Sequence, residues 1–225
     1  MSGITIAIDG PAASGKSTTA SRVARALGYC HLNSGLVYRA ITWAALEGGW
    51  PSDEEDFDQH LAELEIELER AGSGYRVLVD RADPGLNLVS PGTSARVSEI
   101  SARQAVRDRV LSLIKATGGR GGVVCDGRDI GTVVFPDAEL KVFLVASAEE
   151  RGRRRLLERG REPTEEAVRA EAARLSTRDT LDSSRAAAPL RRAADAIEMD
   201  TTEMSATEVV GRIVSLARDR ESAVG

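Results

Sequence analysis

The strongest constraint on the fold of this chain is an eight-residue stretch near its amino terminus, Gly-Pro-Ala-Ala-Ser-Gly-Lys-Ser at positions 10–17. Two glycines enclose four residues and are followed by lysine and serine, which is the spacing of a phosphate-binding loop. A β-branched run precedes the stretch at 4–9, and a run that permits a helix follows it at 18–27. The chain is therefore predicted to open with a strand, a tight loop and a helix.

This loop predicts that the chain binds a nucleoside triphosphate. Glycine at both ends lets backbone N–H groups turn toward phosphate oxygens, and the following helix adds the positive end of its dipole. Lys16 would reach the β- and γ-phosphates, and the hydroxyl of Ser17 would hold Mg²⁺. A glycine-rich turn with a surface lysine is the alternative, and the complete spacing argues against it. The residues expected to contact the triphosphate are Gly10, Pro11, Ala12, Ala13, Ser14, Gly15, Lys16, Ser17 and Thr18.

Composition limits the classes of partner that the chain can have. Its 225 residues, 42% hydrophobic and 29% charged, suit one α/β domain with a sizeable core. A net charge of −5 argues against binding nucleic acid or an anionic membrane through bulk charge. No apolar run approaches the roughly 18 residues of a membrane span, and no leader precedes Ile4. Cys30 and Cys125 are expected to be buried free thiols, and we expect a cytoplasmic protein.

Strand-like and helical segments alternate along the chain, which predicts a mainly parallel sheet with helices on both faces. The five predicted strands lie at 4–9, 29–33, 123–126, 141–145 and 196–200. Residues 66–92 differ in pattern and are expected to form a small antiparallel excursion. This excursion contains three short strand-like runs, at 66–69, 75–79 and 85–89. A helical pattern resumes at 94 and continues to about 116.

Polar residues beyond the loop narrow the chemistry. Asp126 ends a predicted strand and is placed to order the water shell of Mg²⁺, although a solvent-facing aspartate is the alternative. Arginines gather at loops and helix starts, namely Arg39, Arg128, Arg151, Arg155, Arg178 and Arg185. Because arginine binds phosphate in a bidentate manner, such a set favours phosphoryl transfer between two nucleotides over a hydrolase or switch with one arginine finger. Arg153 and Arg154 fit a solvated helix face as well.

Five stretches that together span nearly the whole chain carry a resemblance to a known family. They are Asp9-Gly-Pro with Gly15-Lys16-Ser17, Ser34-Gly-Leu-Val-Tyr38-Arg39, the run Asp126-Gly-Arg128-Asp129-Ile-Gly-Thr-Val-Val-Phe-Pro136-Asp137-Ala, Glu150-Arg151, and Arg178 with Asp182, Arg185 and Pro189-Leu. In these stretches the chain resembles the bacterial cytidylate kinases, which are nucleoside monophosphate kinases. The resemblance implies transfer of the γ-phosphoryl group of ATP to CMP or dCMP with Mg²⁺ as cofactor, giving CDP or dCDP in pyrimidine metabolism.

The resemblance also implies an architecture. It is a P-loop kinase domain with a five-stranded parallel sheet in the order 2-3-1-4-5, a monophosphate-binding insert and a lid. In this numbering the core would be 1–33, 98–150 and 179–225, the insert 34–97 and the lid 151–178. We expect ATP and CMP or dCMP as ligands, no nucleic acid or membrane partner, and a monomeric protein.

The same resemblance assigns individual residues. Those expected to contact the monophosphate are Ser34, Arg39, Ser98, Arg107, Arg128, Asp129, Arg178, Asp182 and Arg185. Within this set Ser98, Arg107 and Asp129 would face cytosine, Arg178 and Asp182 the sugar, and Arg39, Arg128 and Arg185 the phosphate. The catalytic set would be Lys16, Arg128, Arg151, Arg155 and Arg185. Ser17 and Asp126 would serve the metal, Asp126 through water.

The chain departs from the family pattern at three positions. Asn33 stands where the family usually has aspartate, which removes a negative charge near the phosphates. Ala13 replaces a common loop glycine. Gln104 stands where the family often breaks a helix with proline. Ser98 and Arg107 are nine residues apart and would lie on opposite faces of a continuous helix. Either the helix breaks without proline, or one of these two residues does not reach cytosine.

Two other readings compete with cytidylate phosphorylation. A kinase of the same fold could act on another small acceptor, such as UMP or shikimate. A regulatory switch that hydrolyses nucleotide is a different class, and a GTP switch would normally carry an Asn-Lys-x-Asp motif, which this sequence lacks.

Overall fold

The computed structural model describes residues 3–119, 121–185 and 187–224. Within these residues seven strands form one sheet. They are β1 (Thr5–Asp9), β2 (Cys30–Asn33), β3 (Ile66–Ala71), β4 (Gly74–Val79), β5 (Val123–Gly127), β6 (Leu140–Val145) and β7 (Ile197–Asp200). Across the sheet they lie in the order β3-β4-β2-β5-β1-β6-β7. The pairs among β2, β5, β1, β6 and β7 are all parallel.

Helices connect and cover these strands. The α-helices of the described residues are α1 (Lys16–Leu27), α2 (Ser34–Glu47), α3 (Glu54–Glu63), α4 (Pro91–Ile100), α5 (Gln104–Gly118), α6 (Ala148–Glu158), α7 (Glu165–Ser183) and α8 (Ala206–Val224). A 3₁₀ helix at Gly85–Val89 and a π-helical turn at Ile130–Val134 complete the helical elements. None of these helices has the length and apolar composition needed to cross a membrane.

Strand β1 lies between β5 and β6 and is buried on both faces of the sheet. Successive side chains of a strand point to opposite sides, so its residues enter two different cores. On one side Ile6 and Ile8 join a core with α1 and α8. On the other side Ala7 joins a core with α2 and α5. The strand therefore reads as a continuous apolar run, as expected for a parallel strand between two helical layers. The two cysteines are buried free thiols, as predicted.

The sheet is larger than the five strands that the resemblance implied. The excursion forms a β3–β4 hairpin, and this hairpin adds to the edge of β2 in place of standing apart. His31 lies opposite Gly74, and the N–H of His31 donates to the carbonyl of Ser73 at 2.8 Å. Because β3 and β4 are antiparallel, the whole sheet is mixed.

The prediction of a strand at 85–89 was wrong. The chain turns at Gly85, whose φ is 54°, and winds into the 3₁₀ helix. Local bonds hold it, with the N–H of Asn87 donating to the carbonyl of Pro84 at 3.1 Å. Only Leu88 of this segment is buried, while Leu86 is 85% exposed, so apolar residues here do not mark a sheet.

The continuous helix predicted for 94–116 is broken between Ile100 and Gln104. Arg103 is extended, with φ −68° and ψ 133°, although no proline follows it. A tertiary contact holds this residue in place. Its guanidinium lies 4.0 Å from the centre of the Phe57 ring and donates to the carbonyl of Ser52 at 2.7 Å. Of the two alternatives for Ser98 and Arg107, the helix break is the one observed.

The helices α6 and α7 pack closely at Gly152. A methyl group at this position would lie 2.8 Å from the carbonyl oxygen of Val168 and 3.1 Å from the backbone nitrogen of Ala172. Backbone atoms cannot move aside as a flexible side chain can, so glycine sets the distance between the two helices.

We therefore expect Gly152→Ala to lower the free energy of unfolding by about 1–3 kcal/mol through overpacking. This loss should appear even though alanine favours a helix over glycine by about 1 kcal/mol. Gly211 in α8 is the matched control, because a methyl group there meets nothing within 4 Å. Gly211→Ala should stabilise the protein, and chemical denaturation of both variants checks the contrast. Equal effects of the two substitutions would contradict the close packing.

Candidate active site

The phosphate-binding loop follows β1 and ends where α1 begins. Gly10 has φ 148° and lies against β6, where a methyl group would be 2.1 Å from the carbonyl oxygen of Leu144. Gly15 has φ 89° and precedes the first residue of α1. Ala13 has φ 58°, so an L-residue occupies the left-handed region where the family often has glycine, at a cost of roughly 1–2 kcal/mol.

Three consecutive carbonyls of the loop accept hydrogen bonds from cationic side chains. Gly10 O accepts from Arg128 at 3.1 Å, Pro11 O from Lys16 at 2.6 Å and Ala12 O from Arg151 at 3.1 Å. In a trans peptide the C=O and the next N–H point in opposite directions. The contacts on Pro11 O and Ala12 O therefore direct the N–H groups of Ala12 and Ala13 away from Lys16 and Arg151 respectively, while Pro11, which follows Gly10, has no N–H.

Lys16 is buried within the loop that it follows. Its ammonium contacts Pro11 O and lies 3.4 Å from the hydroxyl of Ser14. Burial lowers the pKa of Lys16 well below its ordinary value, and the nearby Arg128 lowers it further. An anion beside this ammonium would favour its charged form.

Oxygen ligands gather at the carboxyl ends of β2 and β5. The hydroxyl of Ser17 donates to one carboxylate oxygen of Asp126 at 2.6 Å, and the ring nitrogen Nε2 of His31 lies 2.7 Å from the other. The amide of Asn33 donates to the Ser17 hydroxyl at 3.2 Å and also caps α2. Hydroxyl and carboxylate oxygens suit a hard divalent cation. Sequence reasoning missed His31. The available signal was its position two residues before Asn33 on the predicted strand, which places both side chains on the same face.

A second group of charges faces the loop from α5, β5 and α7. Arg107 donates to Asp129 at 2.5 Å, and both side chains are buried. Burial raises the pKa of the Asp129 carboxyl, and Arg107 opposes this shift. These two residues line a cavity of about 130 Å³ together with Ser34 and Tyr38. Tyr38 was not predicted as a site residue, although it belongs to the stretch from Ser34 to Arg39 that carries part of the family resemblance.

Asp182 organises the arginines next to that cavity. One carboxylate oxygen accepts from Arg128 at 2.9 Å and the other from Arg185 at 2.5 Å. Arg185 also donates to the hydroxyl of Ser101, in the break between α4 and α5, at 3.2 Å. Arg128 thus contacts both the phosphate loop and the Asp182 cluster.

Other predicted residues lie at the margin of this arrangement. Arg39 donates to Leu88 O and to the Ser94 hydroxyl, both at 2.9 Å. Arg155 donates to Glu158 at 2.8 Å. Ser98 lies half-buried in α4 and does not line the cavity.

Arg178 is only partly compensated. Its buried Nε atom makes no hydrogen bond within the described residues. Burial lowers the pKa of Arg178 to about 10; the charge of Arg128 lowers it further, the nearby Asp182 opposes the shift, and Arg39 and Arg155 add to it. A cluster of cations with too few anions is arranged to receive a negatively charged ligand.

Comparison with known proteins supports the family resemblance drawn from the sequence. The family model described as cytidylate kinase matches residues 6–219. The chain belongs to the cytidylate kinase family. It is 44% identical over 222 residues to the cytidylate kinase of Geobacter sulfurreducens, covering 98% of this chain and 95% of the relative. It is 44% identical to the cytidylate kinase of Bacillus pumilus, covering 95% and 96%.

The fold also resembles a solved structure of an uncharacterized protein from Eubacterium ventriosum. The TM-score is 0.51 at 12% identity, covering 96% of this chain and 98% of that chain. At this identity the likeness concerns the fold alone. The family model and the two cytidylate kinase relatives confirm the family resemblance drawn from the five sequence stretches.

We expect Arg178→Ala to leave the unliganded protein about as stable as before, because it removes a half-buried guanidinium whose buried Nε atom makes no hydrogen bond within the described residues. The same variant should weaken binding of CMP, the predicted acceptor, by about ten- to hundredfold, as for a lost hydrogen bond to a charged group. Thermal unfolding with and without CMP measures both effects.

Arg174→Ala is the matched control, one turn away on α7; Arg174 is exposed, and its buried partner Glu171 keeps a second partner in Arg159. It should change neither stability nor CMP binding appreciably. A marked destabilisation by Arg178→Ala with normal CMP affinity would contradict the prediction that the Arg178 guanidinium serves to bind CMP.

Proposed function

We propose that this protein transfers the γ-phosphoryl group of ATP to CMP or dCMP, giving CDP or dCDP. The observation that carries the proposal is the position of Arg128, which joins the two halves of the site. Its guanidinium contacts Gly10 of the phosphate loop at 3.1 Å and Asp182 of the second charge cluster at 2.9 Å. An arginine between a triphosphate loop and an acceptor site suits the stabilisation of a phosphoryl group in transfer.

The donor site would be the phosphate loop, residues Gly10 to Thr18. Ser17 and Asp126 fit Mg²⁺, because both offer oxygen atoms beside the loop and lie within hydrogen-bond distance of each other. Bound Mg²⁺ would offset the negative charge of the phosphates. Lys16 would contact the β- and γ-phosphates once they displace its contact with Pro11.

The acceptor site would be the cavity beside Arg107 and Asp129. Cytosine would meet Asp129 and Arg107, which line the cavity, and the sugar would meet Asp182 and Arg178. Ser98 does not line the cavity in the unliganded protein, so its proposed contact with cytosine would require α4 to shift toward the base. The acceptor phosphate would be held by arginines and by Ser34, the arginines being Arg39, Arg128 and Arg185. Since phosphoryl transfer needs little covalent help from the protein, the catalytic work would be positioning and charge stabilisation by Lys16, Arg128, Arg151, Arg155 and Arg185.

We infer that two segments move over this site, the insert 34–97 and the lid 151–178, around a core of 1–33, 98–150 and 179–225. Each segment carries arginines predicted to bind phosphate, Arg39 in the insert and Arg151 and Arg155 in the lid, and also an exposed large apolar side chain. Leu86 is 85% exposed in the insert and Leu157 is 58% exposed in the lid. Closure would cover such side chains and exclude water, which otherwise competes for the phosphoryl group. We propose that the protein works as a monomer in the cytoplasm.

The competing functions have less support. The family membership favours CMP or dCMP over UMP or shikimate as the acceptor. A nucleotide-hydrolysing switch would not need the cavity beside Asp129 or the cations around Asp182.

The test of the proposal is release of ADP from ATP and Mg²⁺ with CMP, dCMP, UMP and shikimate supplied in turn. We expect rapid turnover with CMP or dCMP and much slower turnover with UMP and shikimate. Lys16→Ala should reduce the turnover by orders of magnitude while the protein stays folded, because the charge on the migrating phosphoryl group is no longer offset. ADP release that is independent of every acceptor would favour the switch.

We expect Asp129→Asn to narrow the preference for CMP over UMP. Aspartate accepts from the amino group of cytosine but repels the carbonyl oxygen of uracil, and losing a charge-assisted bond costs roughly 1.5–3 kcal/mol, or about ten- to hundredfold. Arg107 would also lose its buried anionic partner, so the protein should be less stable.

The ratio of kcat/KM for CMP to that for UMP separates these effects, because both substrates are measured on one preparation and any loss of folded protein cancels. An unchanged ratio in folded Asp129→Asn protein would assign Asp129 a purely structural role.

A further inference from the structure

Asp179 lies next to Arg178 in the sequence and has no role in the chemistry described so far. Its side chain crosses from α7 to the phosphate loop. Oδ1 accepts from the N–H of Ala12 at 2.9 Å, and Oδ2 accepts from Arg151. Arg151 in turn donates to Ala12 O at 3.1 Å and to Ala146 O at 3.2 Å. The N–H and the C=O of one loop residue are thus both held by a single ion pair.

These contacts fix the two peptide planes around Ala12. The plane between Pro11 and Ala12 is held at both ends, since Pro11 O accepts from Lys16 at 2.6 Å while the Ala12 N–H donates to Asp179. The plane between Ala12 and Ala13 is held by Arg151 on its carbonyl, so the N–H of Ala13 points away from Arg151.

This support acts where the loop needs it. Ala13, the next residue, has φ 58°, a conformation that a non-glycine residue keeps only when its surroundings impose it. Ala12 is 2% exposed, and buried backbone groups need hydrogen-bond partners. Asp179 and Arg151 supply them for its N–H and its C=O.

We propose that Asp179, through Arg151, is a positioning residue of the donor-nucleotide site. It sets the orientation of the peptide groups on either side of Ala12, and with them the N–H of Ala13, before ATP arrives. The inference rests on the proposed function, because it assumes that the loop binds the phosphates of ATP. Since α7 also carries Arg178 and Asp182, one helix would support the donor loop and supply ligands to the acceptor site.

The test is titration calorimetry of the full chain with ADP and Mg²⁺ and, separately, with CMP. Asp179→Asn places an N–H₂ group against either the Ala12 N–H or Arg151, so one donor must face another. We expect ADP affinity to fall by about ten- to hundredfold, the range for a lost hydrogen bond to a charged group. CMP affinity should fall much less than ADP affinity, because neither Asp179 nor its partners Ala12 and Arg151 line the acceptor cavity. A defect of general folding would weaken both ligands alike.

Glu171→Gln is the matched control. Glu171 is a buried carboxylate on the same helix that pairs with Arg159 and Arg174, away from the loop. Its ADP affinity should stay within about twofold of the wild type. If Asp179→Asn does not fold, Asp179→Ala replaces it with the same expectations, since alanine introduces no opposing N–H group.

The outcomes separate the inference from the function on which it rests. Wild-type ADP affinity in the Asp179 variant, or equal weakening by Glu171→Gln, would overturn the positioning role and leave the proposed function standing. Wild-type protein that binds CMP but not ADP would overturn both, because the loop would then hold no donor nucleotide.

Discussion

The parallel pairing of β1 with β5 is the constraint on which the whole site depends. Its register sets Asp9 opposite Gly127, so the loops that follow the two strands leave the sheet side by side. The carboxylate of Asp9 ties them together by accepting from the N–H groups of Ile130 at 2.9 Å and Gly131 at 2.7 Å. Burial raises the pKa of Asp9 to about 6, and these two hydrogen bonds oppose that shift. A slip of this register would separate Arg128 from Gly10 and with it the two halves of the site.

Charge balance gives the site its second property. Asp182 neutralises both Arg128 and Arg185, which would otherwise repel each other, and Asp179 neutralises Arg151, while Arg178 and Lys16 stay under-compensated. Burying such cations is unfavourable in the absence of an anion, and phosphate groups restore the balance. We therefore expect these under-compensated cations to lower the stability of the unliganded protein and to favour the binding of phosphate groups. Because a buried cation without an anion is unfavourable, most arginines of the site are paired with a carboxylate.

Features determined by local sequence were predictable, and those determined by distant contacts were not. The phosphate loop was found because glycine spacing and a lysine are local signals. The 3₁₀ helix at 85–89 was missed because alternating apolar residues are compatible both with a strand and with a short helix that buries only one leucine. The hairpin joined the main sheet through His31 and Gly74, which are 43 positions apart by their numbers. The anchoring of Ala12 by Asp179 spans 167 positions, and no short-range pattern encodes it.

The break between α4 and α5 has a consequence for how relatives of this chain can vary. Where the family often has proline at the position of Gln104, a covalent ring would impose the extended conformation on the residue before it. In this chain the stacking of Arg103 on Phe57 and its bond to Ser52 impose the same conformation from outside. With proline at 104, the Arg103–Phe57 contact would not be needed to keep residue 103 extended. Without that proline, a change at either 103 or 57 removes a contact that holds the break open.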